Sequence, residues 1–520
     1  MRSVETVLFL VVVAAVVAAF ARRLAVPAPS LLVVAGLLIG LIPGVPEIRV
    51  TPEVVSLFVL PPLLYAAGEE MPWRELRQVW RPVTVLAVGL VLFTAAAVGF
   101  IATAVAPLTA SMGFVLGAVL ASTDPVAVAA LGRRLSLPTR LQVLVQAESL
   151  FNDATSLVLF RVAVAAAVAG GAIAPGPALG EFALLAVGGT LVGVVVSAGV
   201  AMVRTRTEDP VLESVIALVT PYAAFVLAES VHASGVTAVI VAAVLLGQQS
   251  AKLTTAHIRL QLAAVNATVI FILESVVFSL IGLQLPTLIR SLSGTDTAWL
   301  LPSLVIAAAL IATRVLWVFP LTAIAQWRGG ARRPSWQVPA VVSWAGARGV
   351  VPLAAALSIP LTAVDGSPLP DRELVQVLAT VVIVISLVVQ GFTLEPLVRR
   401  AGIALEPAVG AKEDTLARLK LAEASLDHLE HLEDAEGGSP IVIERARRNL
   451  LARRDRIRTT LDSDEPHDPL APVYRRLRRD LLEVERAELH RLYDAGTIGD
   501  ATRRRVERIL DLEDAALGDD

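Results

Sequence analysis

Apolar residues fill long blocks of the first 400 positions, and the blocks show no alternation of the kind a half-buried strand requires. They lie near 4–20, 29–43, 51–68, 82–106, 111–131, 140–168, 181–203, 211–229, 234–249, 262–285, 299–325, 338–360 and 373–398. A run of about 20 apolar residues crosses the hydrocarbon of a bilayer as a helix. The pattern therefore predicts an all-α membrane protein of about 13 transmembrane helices. The pattern changes after Gly402, where the chain becomes charged, with mixed signs. Helices are predicted there over Asp414 to His431, Ile441 to Leu461 and Val473 to about Tyr493, with a Pro/Asp-rich break over Asp462 to Pro472. The expected division is a transmembrane domain, 1–401, and a cytosolic helical tail, 402–520, which is either a passive solvated appendage or a regulatory, dimer-supporting domain.

Two of the blocks are interrupted. The fifth contains Ser122-Thr-Asp-Pro125. Proline removes a backbone donor and clashes with the preceding turn. Asp124 as N-cap and Pro125 at the first helical position suit a new start, so this span should stop near Ser122 and resume at Asp124. The twelfth contains Gly346-Ala-Arg348-Gly349, two glycines and an arginine in mid-membrane. The two blocks are an odd number of spans apart and cross in opposite directions. Paired interrupted segments in two halves point to inverted repeats with two discontinuous crossing helices and to a transport site between them. Asp124 can offset the positive N-terminal ends of the half-helices, and Arg348 the negative C-terminal ends.

Charge adds orientation. Loops following odd-numbered spans, with Arg399 and Arg400, hold about 17 basic residues, among them Arg22, Arg23, Arg77, Arg133, Arg204 and Arg333; the other loops hold only Arg49, Arg290 and Arg372. The N-terminus is expected outside and the C-terminus in the cytosol. The basic pair Arg22-Arg23 follows the first apolar block, which is the reverse of a signal peptide's layout and favours a first span. The chain has 520 residues, 55% hydrophobic, with mean hydropathy +0.71, net charge -3 and no cysteine. These values fit a membrane protein, argue against nucleic-acid binding, and exclude disulfides and thiolate sites.

The candidate chemistry sits in the sixth block. Glu148, Asn152 and Asp153 lie inside an apolar stretch, and an ionisable residue at membrane depth marks a functional site by default. No His/Glu metal motif or nucleophile–base pair occurs within the spans, so the chain does not read as an enzyme and calls for no cofactor. His232 and His257 read as loop-end residues or a modest pH sensor, and His428 and His431, among acids, as surface residues more than metal ligands.

With Phe-Val-Leu-Pro-Pro-Leu-Leu-Tyr at 58–65, Thr-Asp-Pro-Val-Ala-Val at 123–128, Glu-Ser-Leu-Phe-Asn-Asp at 148–153, Arg-Val-Leu-Trp-Val at 314–318 and Arg-Gly-Val-Val at 348–351, the chain resembles the monovalent cation/proton antiporters of the sodium/proton exchanger family. The pieces run through the whole membrane region in family order. The resemblance implies a 13-span fold with a mobile core domain and a dimerisation domain, hence a homodimer in the inner (plasma) membrane. It implies a monovalent-cation site at Asp153 with Thr123 and Ser149 as further ligands. Asn152 would hold the crossed helices, and Glu148 would pair with an arginine, either Arg314 or Arg348. Ala66 stands where some members carry an acid, and Glu69 and Glu70 lie nearer the cytosolic end; the choice between Na+ and K+ stays open on this account.

A hard monovalent cation wants oxygen ligands, at least one of them charged. Asp153 supplies the charge. Burial disfavours the ionised carboxylate and a bound cation favours it, so the group carries either a proton or a cation. Alternating access then gives exchange of Na+, with Li+ and K+ as alternatives, for H+. With an amide at 152 in place of a second acid, the simplest ratio is one for one and electroneutral. The rivals are a cation channel, which needs a pore lined by several subunits, and an organic-solute/proton transporter.

Overall fold

The computed structural model describes residues 12, 16–17, 28–42, 55–124, 137–169, 175–207, 209–292, 299–328, 335–364, 366–403, 407–434, 440–462 and 471–517. The described residues form two compact units, Met1–Ala404 and Leu405–Asp520.

The first unit is helical. Its elements are α1 (Ala28–Gly40), α2 (Leu60–Glu69), α3 (Trp73–Val105), α4 (Ala110–Ala121), α5 (Thr139–Val168), α6 (Pro175–Arg204), α7 (Pro210–Ser230), α8 (Gly235–Leu253), α9 (Ala256–Ser291), α10 (Leu300–Arg328), α11 (Gln337–Trp344), α12 (Val350–Leu357) and α13 (Arg372–Ala401). Seven of these contain stretches long and apolar enough to cross a membrane, and α1, α2, α4 and α8 are or contain shorter apolar helices. The predicted first span, 4–20, lies outside the described residues apart from positions 12, 16 and 17, as does the predicted restart of the fifth span at Pro125.

Sequence boundaries shift where polar and apolar turns share one helix. The third long element begins at Trp73 rather than near 82, because the amphipathic turns around Arg74, Arg77 and Arg81 run unbroken into the apolar stretch. Pro82 lies inside it and a π-helical turn, Val85–Leu90, follows. Close packing uses small residues, as expected where lipid gives helices no hydrophobic reason to associate. α1 lies against α9 so tightly that a Cβ on Gly36 would come 2.1 Å from the Ser279 carbonyl oxygen, and one on Gly282 2.0 Å from that of Val33. Ser30 joins α1 to α13, its hydroxyl donating to the Leu387 carbonyl at 2.7 Å.

The second unit holds α14 (Pro407–Asp434), α15 (Pro440–Asp462), α16 (Ala471–Asp494) and α17 (Asp500–Ala516). The sequence pattern anticipates the first three; α17 escapes it because its apolar positions are few. They suffice because α16 and α17 share a small core of Leu482, Leu489 and Leu510, flanked by Arg478 paired with Glu485 and Glu513. His431 is exposed on α14, its Nδ1 2.7 Å from the Asp427 carbonyl oxygen. Glu69, on α2, is the weak acceptor of the Asn266 amide at 3.5 Å.

Candidate cation site

α5 carries the site. In a helix, positions i, i+1, i+4, i+5 and i+8 lie on one side, and Glu148, Ser149, Asn152, Asp153 and Ser156 occupy such a set, all buried. That side faces the end of α4. α4 stops at Ala121, and Ser122 is extended (φ -70°, ψ 147°), which releases backbone groups and hydroxyls toward α5.

Five hydrogen bonds tie the two segments. The Ser149 hydroxyl donates to the Thr123 carbonyl at 2.5 Å, the Asn152 amide nitrogen donates to Thr123 Oγ1 at 2.6 Å, and the Thr123 N–H donates to Asn152 Oδ1 at 3.3 Å. Ser156 donates to the Ala118 carbonyl at 2.8 Å. Asp153, only 6% exposed, accepts a short hydrogen bond from the Ser122 hydroxyl. Asp153, Thr123, Ser149 and Asn152 thus converge on one point. Ser122 is a fifth member that sequence reasoning missed; its only signal is its place at the end of the broken helix.

The second break faces the first. α11 ends at Trp344 and α12 begins at Val350. The Asp124 N–H donates to the Ala347 carbonyl at 2.7 Å, so the two interruptions touch. The contact is close: a Cβ on Gly349 would stand 1.6 Å from an Asp124 carboxylate oxygen.

The arginines take different partners. Arg314 of α10 holds Glu148 through two parallel hydrogen bonds of 2.6 and 2.7 Å, with side chains 3% and 1% exposed, and its Nε donates to the Val342 carbonyl at 3.0 Å. This bidentate geometry is the strong form of a carboxylate–guanidinium contact. Arg348 instead donates to the Leu120 carbonyl at 2.7 Å and to the Gly346 carbonyl. Those carbonyls lie at the C-terminal ends of α4 and α11, where a positive charge meets the negative end of the helix dipole.

Two further charged pairs went unread in the sequence. Arg204, counted above among loop cations, is buried at the end of α6 against Glu213 at 2.7 Å. Its neighbour in sequence, Arg206, is exposed, so the loop keeps a basic residue. Arg161, two turns beyond Asp153 on α5, reaches Glu229 of α7 at 2.5 Å, and the same Glu229 oxygen accepts from the Gly235 N–H at 3.2 Å. His232 stands in the turn between α7 and α8 with φ 56°. No group of three or more potential metal-ligating His, Cys, Asp or Glu side chains is present among the described residues. The oxygen-rich convergence at Asp153 is of another kind, one carboxylate among hydroxyls and carbonyls.

The chain is similar to several known proteins. The transmembrane sodium/hydrogen exchanger profile matches residues 10–400. An uncharacterised Na+/H+ exchanger of Mycobacterium tuberculosis (strain ATCC 25618 / H37Rv) is 36% identical over 98% of this chain and 96% of its own. A sodium, potassium, lithium and rubidium/H+ antiporter of Bacillus pumilus is 32% identical over 70% of this chain and 56% of its own. The solved structure of the sodium proton antiporter MjNhaP1 from Methanocaldococcus jannaschii at pH 8 shares the fold, with a TM-score of 0.63 at 21% identity over 78% of this chain and 98% of that one. The chain belongs to the sodium/hydrogen exchanger family, whose members are transporters and not enzymes.

Proposed function

We propose that this chain is a secondary active antiporter that exchanges a monovalent cation for H+ by alternating access, with Na+ the first candidate and Li+ and K+ the alternatives. The observation that carries the reading is Asp153. It is a buried carboxylate at the point where α4 loses its helical hydrogen bonds, in contact with the Ser122 hydroxyl and next to Thr123 and Ser149. A hard cation can draw its oxygen ligands from this set, and a proton on Asp153 removes the charge the cation needs. Competition for one carboxylate couples the two ions with no separate device. Asn152 holds the segment that follows α4 through Thr123 and carries no charge, which supports one-for-one, electroneutral exchange. Glu148 and Arg314 form a structural pair, while Arg348 and Asp124 steady the facing helix ends.

The same reading includes 13 crossings arranged as inverted repeats, an external N-terminus, a cytosolic C-terminus, assembly as a homodimer in the inner (plasma) membrane, and a regulatory role for the helices after residue 402. The Bacillus pumilus relative is named an antiporter of sodium, potassium, lithium and rubidium for H+, which supports keeping Li+ and K+ in the comparison. The test is dequenching of a pH dye in vesicles containing the purified chain, with Na+, Li+ and K+ added in turn across pH. Saturable proton efflux driven by an inorganic cation supports the proposal; efflux that requires an organic solute contradicts it.

A further inference from the structure

A cavity of about 200 Å3 lies between α10 and α13. It is larger than the engineered apolar cavity of about 150 Å3 that takes up benzene. The rim side chains Leu304, Ala308 and Val389 are apolar and exposed, as on a face that lipid covers. The inner wall carries Arg314, Arg348, Ser386 and Gln390, all buried.

The hydrogen bonds of this wall leave two donors over. The Arg348 N–H donates to Ser386 Oγ at 3.0 Å, and Ser386 donates to Gln390 Oε1 at 2.5 Å. The Nε and one terminal nitrogen of Arg348 serve the Leu120 and Gly346 carbonyls. Its other terminal nitrogen, and Nε2 of Gln390, have no hydrogen-bond partner among the described residues. These side chains are 3% and 4% exposed. Arg348 makes no ion pair among the described residues, since Glu148 is taken by Arg314. A water molecule would meet two donors here, but Arg314 offers no acceptor, being a donor already committed to Glu148 and the Val342 carbonyl, and the remaining side chains are apolar and offer little to the water's own protons. A group with two acceptor oxygens, a negative charge and an apolar body matches every part of the wall.

We propose that this cavity binds a small monocarboxylate, an aromatic or short aliphatic acid that enters from the lipid side. Its two carboxylate oxygens accept from Arg348 and Gln390, and its hydrocarbon lies along Leu304 and Ala308. Such a ligand joins the α11–α12 break to α13, so it stabilises the fold. The site adjoins the helix ends that Arg348 steadies, but the proposal does not rest on the exchange mechanism.

The test uses the full chain in detergent and choline benzoate as the probe, with choline chloride at equal ionic strength and benzyl alcohol as a neutral control of similar shape. Thermal unfolding is followed by tryptophan fluorescence. Benzoate should raise the unfolding midpoint saturably, and benzyl alcohol should not. Gln390→Glu keeps the acceptor for Ser386 but places a carboxylate beside Arg348; Ala308→Leu fills the rim and touches no polar group. Each should weaken the benzoate response about tenfold or more. An absent response, an equal response to benzyl alcohol, or a full response in Ala308→Leu would overturn the proposal. If Gln390→Glu does not fold, Ala308→Leu alone decides.

Discussion

Cutting the Glu148–Arg314 pair on one side should be among the most damaging single changes in the membrane unit. The two side chains meet through hydrogen bonds of 2.6 and 2.7 Å, at 1% and 3% exposure. Glu148→Ala leaves Arg314 with the Val342 carbonyl as its remaining hydrogen-bond partner. Arg314→Ala leaves Glu148 as a buried carboxylate with no other hydrogen-bond partner among the described residues. Breaking a buried pair from either side costs about 3–5 kcal/mol, because the other charge stays buried and unpaired. That is a large fraction of the 5–15 kcal/mol by which domains are typically stable. Removing both charges costs less than the sum of the single losses, by roughly 2 kcal/mol or more. Arg348 serves as the control: its guanidinium is committed to carbonyls, so Glu148→Ala combined with Arg348→Ala should show a smaller coupling. The assay is unfolding of the purified single and double variants under matched detergent conditions. Additive losses for Glu148 and Arg314, or a stronger coupling of Glu148 to Arg348, would refute the assignment.

Gly349→Ala should impair folding and exchange together, since the added methyl group would overlap the Asp124 carboxylate; a stable variant with the parent exchange rate would contradict the close crossing of the two breaks. With Asn152 uncharged and Asp153 as the exchanging group, transport should be insensitive to an imposed membrane potential; a current that scales with turnover would mean that Glu148 or Asp124 also carries a proton. A chain ending at Pro407 should still insert and exchange, with an altered pH profile, rate or dimer stability, because the tail forms its own compact unit. Complete loss of exchange by a well-folded truncation would make the tail part of the transport machine.

The helix period made the site face of α5 legible: once 140–168 is read as helix, residues 148, 149, 152, 153 and 156 fall on one side. The interruptions were legible because Pro125 and the glycines around Arg348 conflict with continuous helix. What these segments touch was not legible. Arg314 and Arg348 both match the family, and only the spatial approach of α10 to α5 gives Glu148 to the first. Ser122 was read as the end of a helix, while the link to Asp153 depends on how α4 and α5 meet. Arg204 fitted the pattern of loop cations because charge counting cannot see that Glu213, at the start of the next helix, folds back onto it. α17 was missed because a short hairpin needs few apolar residues when its partner supplies the rest of the core.

The central claim, that one carboxylate carries the cation and the proton in turn, is tested most directly at Asp153. Asp153→Asn keeps the shape and keeps a group able to meet the Ser122 hydroxyl, while removing the charge a cation requires. The measurement is Na+-driven proton efflux from vesicles containing the parent chain or the variant, at equal amounts of folded protein and across the pH range of activity. The account predicts saturable efflux for the parent and none at any pH for Asp153→Asn. Efflux by the folded variant at a rate near that of the parent would contradict it.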